Sequence, residues 1–293
     1  MLKRILFATD FSEYNLKILK YLPEFKELGT EEVVIVRVIN LNRIIGAAGG
    51  INLDEYIEAH QREAKEKMKE IADKIEKMGF RPIPILPCTA GDPVNEILKS
   101  AKDYDVDLIL TSARGRSIKK ILVGSVSEGI VRNTDRPVMV FKYGVEKDVF
   151  KRLLYAHDFS QHAEKAMDYV KFIASRINSE IILVHVIEKK EIFGKSKIEE
   201  IESKLKDFNV KTVIGYGTPY KEILRIAKEE GATSIFLGSK GVGGIFGSTT
   251  DGVVRYSNIP VFVSVWSAHS AYQEIFIFKN LNNLNNIIIF SSA

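Results

Sequence analysis

Short apolar runs without polar alternation recur along the chain: Arg4–Ala8, Val33–Ile39, Arg81–Cys88, Leu108–Ser112 and Val138–Lys142 in its first half. Continuous apolarity in runs this short predicts strands covered on both faces, as in a parallel sheet. Between the runs the pattern changes to a helical period. One helix is predicted over Tyr14–Leu28, behind Ser12 as N-cap. The longest runs from about Asp54 to Met78, with Ile57, Gln61, Ala64, Met68, Ile71, Ile75 and Met78 on one face and Gly79 as its stop. Its Glu and Lys residues lie mostly opposite and read as a solvated face. Strands alternating with helices define an α/β chain.

The same order returns. Lys3–Ser12 (KRILFATDFS) recurs as Lys151–Ser160 (KRLLYAHDFS), and Glu32–Ile39 as Glu180–Ile187. Gly91–Leu98 recurs as Gly217–Leu224, Gly124–Arg132 as Gly247–Arg255, and Arg136–Phe141 as Ile259–Ser264. Five blocks in register make the chain a tandem duplication joined around Tyr143–Asp148. The expected organisation is one domain over 1–143, a second over 149–266, and an unassigned tail over 267–293, which is Asn-rich and strand-prone at Ile287–Phe290. The second half is trimmed. Glu188–Lys195 stands where the first has the glycine-rich Asn40–Leu53, a lid, an interface or a plain loop, and its next helix is expected at about Lys197–Phe208.

Composition narrows the classes. The 293 residues are 45% hydrophobic and 27% charged, as in a soluble globular protein, and suit two domains of ordinary size. A net charge of +4 argues against a dedicated nucleic-acid binder. The single cysteine, Cys88, rules out an internal disulfide and reads as buried filler. The opening MLKRILFATD shows no secretory pattern and no run reaches the length of a membrane span, so the expectation is a cytoplasmic protein with no membrane contact.

Candidate chemistry sits at strand ends. Thr111–Arg132 leaves a strand, crosses a basic glycine-bearing loop and enters a helix at Gly124–Ser125, where Ser125 and Glu128 have capping-box spacing. Unpaired N–H groups and the positive end of the helix dipole make such a start a phosphate site, and a bland capped helix equally well. No P-loop, zinc helix or nucleophile elbow is present, so no catalytic or metal-binding residue is assigned. His157 and His185 are replaced by Thr9 and Arg37 in the other half and read as structural.

These blocks resemble the universal stress protein family, as two fused domains. The resemblance covers Leu2 to Trp266 and implies two tandem five-stranded parallel α/β sandwiches of Rossmann-like type, related to adenine-nucleotide-binding folds. It also implies a pseudo-dimer within the chain, pairing Val138–Phe141 with Val261–Ser264, with further homodimerisation open. An adenine nucleotide, AMP or ATP with or without magnesium, is the implied ligand. On its adenine side would lie Ala8, Thr9, Asp10 and Val38, and in the second half Ala156, His157, Asp158 and Val186. The phosphate side would be Ser112, Arg114, Gly115, Gly124, Ser125, Val126 and Ser127, and then Gly238, Lys240, Gly241, Gly247, Ser248, Thr249 and Thr250. Strand-end placement agrees with the general rule for open α/β sheets. Both halves depart from the family's G-x-x-G-x9-G-[S/T]. The first has Ser112 for the leading glycine and eight residues between Gly115 and Gly124, while the second keeps Gly238-x-x-Gly241 but has only five before Gly247. The implied function is a nucleotide-responsive regulatory module in a stress response, with an unnamed protein partner. An interaction protein without nucleotide and a slow ATP hydrolase are the alternatives.

Overall fold

The computed structural model describes residues 1–41, 53–113, 125–142, 148–188, 195–240 and 247–265. Its centre is one ten-stranded sheet. The first half contributes β1 (Arg4–Ala8), β2 (Glu32–Val36), β4 (Arg81–Pro84), β6 (Leu108–Ser112) and β7 (Val138–Phe141). The second contributes β8 (Arg152–Ala156), β9 (Glu180–Ile187), β10 (Val210–Tyr216), β11 (Ser234–Gly238) and β12 (Val261–Ser264). The order is β10-β9-β8-β11-β12-β7-β6-β1-β2-β4. Every neighbour is parallel except β7–β12, which pair antiparallel with Val140 opposite Val261 and Val138 opposite Val263. The expected intrachain pairing is therefore a continuous sheet across the pseudo-two-fold. Strand edges that would otherwise be open close on each other.

All four residues of β7 and of β12 are buried. That two-sided burial is why these runs are apolar throughout. Two apolar layers run the length of the sheet, and each draws on both halves. One holds Phe7, Phe25, Met68, Phe141, Phe236 and Phe262; the other holds Val36, Val38, Ile97, Val140, Val184 and Val263. Tyr21 stacks on Phe141 at 4.9 Å, and Phe236 on Phe262 at 4.8 Å, beside the join.

The helices follow the expected pattern with informative breaks. The region expected as one helix at Tyr14–Leu28 is three pieces: α1 (Glu13–Leu16), a 3-10 turn (Lys17–Tyr21) and α2 (Leu22–Glu27). Pro23, in the first turn of α2, has no N–H to continue the ladder from the preceding turn. In the second half the equivalent segment lacks proline, and α6 (Gln161–Ile177) runs unbroken to Asn178, left-handed at φ 57°. Helix α3 (Leu53–Lys77) buries Ala64, Met68, Ile71 and Ile75 as its period predicts, and Gly79 follows at φ 86°. Helices α4 (Pro93–Asp103), α5 (Ser125–Asn133), α7 (Lys195–Lys204), α8 (Pro219–Glu229) and α9 (Ser248–Tyr256) complete the described set. Helix α7 thus stops short of the expected Phe208.

The strand expected over Val33–Ile39 divides at Arg37. Its end, β3 (Val38–Asn40), leaves the main sheet to pair with β5 (Thr89–Gly91). The cause lies in the neighbour: Pro82, Pro84 and Pro87 limit β4 to four residues, because a proline donates nothing to a ladder. The proline-free β10 keeps its partner β9 straight for eight residues.

Candidate functional site

Strand order reverses between β1 and β6, and likewise between β8 and β11, which in open α/β sheets is where a ligand crevice forms beyond the strand carboxyl ends. The turn after β1 is built by its own side chains. Phe11 is left-handed at φ 62°, a conformation that costs a bulky residue roughly 1–3 kcal/mol unless its surroundings impose it. Thr9 Oγ1 accepts the Phe11 N–H at 3.0 Å, and Asp10 Oδ1 accepts the Ser12 N–H at 2.9 Å and the Ser12 hydroxyl at 2.6 Å. Ser12 Oγ in turn accepts the Asn15 N–H at 3.2 Å, capping α1.

The second half repeats this turn. Phe159 has φ 61°, and Asp158 Oδ1 accepts the Ser160 N–H at 3.1 Å and its hydroxyl at 2.6 Å. Each aspartate thus organises its turn through one oxygen. Oδ2 of each makes no hydrogen bond to a described residue, and both side chains are exposed at the mouth of the crevice.

Backbone direction accounts for the two valines. The Val184 carbonyl accepts the His157 N–H at 2.9 Å, so it points toward β8, while the Ile187 carbonyl turns to Gly217 on the β10 side. Alternation along a strand directs the polar groups of Val186 toward the space where β8 has ended. In the first half Val36 serves Thr9 at 2.9 Å in the same way, and Leu41 bonds Gly91 on the β5 side. Val38 therefore faces the crevice past Ala8. Its own side chain is packed in the core.

At the opposite wall, hydroxyls tie strands to helices. Ser127 donates to the Ser112 carbonyl at 2.7 Å and lies 3.2 Å from Thr111 Oγ1; Thr250 donates to the Gly238 carbonyl at 2.8 Å. Both are buried, so these side chains fix α5 and α9 at the strand ends. In the second half the Gly247 N–H bonds the Ser239 carbonyl at 3.3 Å and Ser160 Oγ the Lys240 carbonyl at 3.3 Å. Ser248 is exposed, Thr249 and Val126 are half-buried, and Ala8, Thr9 and Ala156 are buried. Arg114, Gly115, Gly124, Gly241, the Ser125 side chain, the joint at 143–147 and the tail from 266 lie outside the described residues.

Asn15 escaped the sequence reading. Its amide donates to the Ala8 carbonyl and to Ser112 Oγ, both at 3.0 Å, and so clamps β1 to β6 across the crevice. Its repeat equivalent is Ala163, and that of Ser112 is Gly238. A Cβ on Gly238 would lie 2.8 Å from the Ala163 nitrogen. The paired exchange Asn/Ser for Ala/Gly was the available signal. Glycines inside the last helices have a similar cause: a Cβ on Gly129 would fall 2.6 Å from Val94, and one on Gly252 2.5 Å from Tyr220.

His157 and His185 both bond to backbone groups at the turn after β8. His157 Nδ1 accepts the Phe159 N–H at 3.0 Å, the task of Thr9 Oγ1 in the first half, and His185 Nδ1 lies 2.8 Å from the His157 carbonyl. Burial holds the His157 pKa below its ordinary value, against the pull of Glu164 at 3.6 Å. The unfolded chain then takes up a proton first as pH falls through about 6.5, so stability declines on the acid side. His157→Thr, which copies the first half, is expected to flatten part of that decline in urea unfolding between pH 7 and 5. An unchanged slope would remove His157 from the account.

Two crevices on one mostly parallel sheet define an α/β protein of duplicated Rossmann-like type. The family model "Universal stress protein family" matches residues 1–142 and 190–264, and the chain belongs to that family. It is similar to universal stress protein MJ0577 of Methanocaldococcus jannaschii, 36% identical over 160 residues that cover 48% of this chain and 96% of the relative. The crystal structure of a universal stress protein from Archaeoglobus fulgidus superimposes with a TM-score of 0.78 at 38% identity, covering 90% of this chain and 98% of the other. The PA1789 protein of Pseudomonas aeruginosa, 13% identical, shares the fold with a TM-score of 0.63 over 95% of this chain and 98% of its own. Among the described residues no helix is long and apolar enough to cross a membrane, and no group of three or more His, Cys, Asp or Glu side chains is placed to hold a metal.

Proposed function

We propose that the protein is a cytoplasmic regulatory module of a stress response whose first half binds an adenine nucleotide, AMP or ATP, while its second half serves mainly as the structural partner. The observation that carries this reading is the difference between the two crevices. In the second half, the Gly247 amide that would face a phosphate at the start of α9 bonds the Ser239 carbonyl at 3.3 Å. The connection from Gly241 to Gly247 is also short, at five residues against eight in the first half. In the first half, Asp10 Oδ2 and the backbone edge of Val38 would take the adenine end. Gly115, Gly124 and Ser125 would take the phosphates, with the dipole of α5 favouring their charge.

Thermal unfolding with ATP, ADP, AMP and GTP, each with and without magnesium, tests this. A native-state ligand at about 100 times its Kd adds roughly 2.7 kcal/mol. Asp10→Ala is expected to abolish the adenine-nucleotide shift and Asp158→Ala to leave it. No shift with any adenine nucleotide at millimolar concentration would sink the proposal, and loss with Asp158→Ala alone would transfer the site to the second half.

A further inference from the structure

A second cavity lies under the same turn, on the sheet face opposite the Val38 side chain. Its volume is about 210 Å³, and it is walled by the Asp10–Ser12 turn, by Arg37 and Ile39 where β2 gives way to β3, and by one face of α3 at His60, Glu63, Ala64 and Lys67. Those four helix positions are spaced as a single stripe, so they face the cavity together. Its lining sets Arg37 and Lys67 against Asp10 and Glu63. Arg37 is half-buried and makes no hydrogen bond or ion pair to a described residue; its guanidinium lies 5.1 Å from the Phe11 ring centre. Lys67 approaches the same ring at 5.6 Å and pairs with Glu63 at 2.6 Å. Asp10 Oδ1 is already held by Ser12. Among the described residues Arg37 thus has no hydrogen bond or ion pair; it rests on the Phe11 ring and acts on Glu63 only electrostatically, from beyond ion-pair distance.

A guanidinium carries five N–H donors in a planar fork that matches the oxygens of a carboxylate or phosphate. The second half has a different side chain at this place. There the position of Arg37 is His185, buried and 2.8 Å from the His157 carbonyl, below the equivalent Phe159. In the first half an arginine stands there and lines a cavity.

We infer that this cavity binds a small oxyanion, a carboxylate or phosphate group held by the Arg37 fork. His60 Nδ1 bonds the Tyr56 carbonyl at 3.0 Å, which leaves Nε2 as a further contact. Asp10 borders both this cavity and the strand-end crevice, so occupancy here adjoins the nucleotide position without depending on it.

The oxyanion has two sources, a free small anion or the phosphate of a nucleotide lying in the crevice. Thermal unfolding of wild type and Arg37→His, which copies the second half, separates them with inorganic phosphate, citrate, adenosine and AMP. A larger shift for wild type than for Arg37→His in millimolar phosphate or citrate supports a free anion. A difference confined to AMP, with adenosine alike in both proteins, assigns the oxyanion to the nucleotide. Equal shifts in both proteins with every probe overturn the inference. Phenylglyoxal modification of the wild-type chain, mapped by peptide mass, gives an answer even if the variant fails to fold. Protection of Arg37 by 10 mM phosphate or AMP, on the order of tenfold in rate, is expected, and no protection by any probe overturns it.

Discussion

Replacing Gly238 by alanine should destabilise the protein by about 3 kcal/mol, the upper part of the range for overpacking a filled interior. An added Cβ would lie 2.7 Å from His162 Cβ and 2.8 Å from both the Ala163 nitrogen and the His162 carbonyl carbon. Two of these three atoms are backbone at the start of α6, so no rotamer change relieves the contact. That helix start is fixed from several sides. Ser160 Oγ accepts the Ala163 N–H at 3.2 Å, Ser264 Oγ donates to the His162 carbonyl at 2.6 Å, and Ser239 Oγ sits 3.0 Å from His162 Nδ1. The reciprocal change, Ser112→Gly, removes only the partner of Asn15 and should cost about 1 kcal/mol, that of one hydrogen bond. Urea titration of both variants checks the contrast. Equal stability of Gly238→Ala and wild type would show that the leading glycine answers to ligand rather than to packing.

Lys142→Met should stabilise the protein at neutral pH and abolish a pH dependence that the wild type shows on the alkaline side. Lys142 is buried next to the central β7–β12 join, where its ammonium donates to the Val254 carbonyl in the last turn of α9. Burial pushes its pKa down to about 8 from an ordinary 10.5. Between those two values the unfolded chain holds a proton that the folded chain has lost, so stability rises with pH across the window. The full difference is about 3 kcal/mol, at roughly 1.4 kcal/mol for every tenfold loss of proton affinity. Below pH 8 the penalty is present in full. The methionine variant avoids it and loses one hydrogen bond of about 1 kcal/mol, for a net gain of about 2 kcal/mol at pH 7.

The tyrosines act in the opposite sense. Tyr21 and Tyr169 are raised to about 12, mainly by burial, and stability associated with them is lost as pH climbs from about 10 to 12. The informative quantity is therefore the difference between wild type and variant from pH 7 to 10, by urea unfolding. A difference that stays constant across that range would refute the role of the Lys142 charge.

Much of the architecture was legible because apolar runs and helical stripes report burial directly. Val138–Phe141 is apolar at every position since both faces of β7 are covered, and the stripe Ala64, Met68, Ile71, Ile75 is the buried face of α3. The breaks were harder to see. Apolar periodicity runs through Pro23, with Leu22 and Phe25 buried on either side, so the segment reads as one helix although the proline breaks it. At the crevice, Asp10 and Asp158 were visible as polar residues closing apolar strands. Nothing local distinguishes the hydroxyls of Ser127 and Thr250 as already bonded, because their acceptors are carbonyls 15 and 12 residues earlier in the chain.

The duplication, the α/β alternation and the place of the strand-end aspartates follow from the chain alone, since each is written in local period or in direct repetition. How the halves join follows only from their packing. Antiparallel contact of β7 with β12 makes ten strands one sheet, and it carries Lys142 into the interior as a consequence. Packing also leaves Arg37, one residue inside an apolar run, half-buried over a cavity while His185 in the matching place is buried. The physical reason is the same throughout. Burial and pairing depend on what another segment brings opposite a residue, and that partner lies tens to more than a hundred positions away.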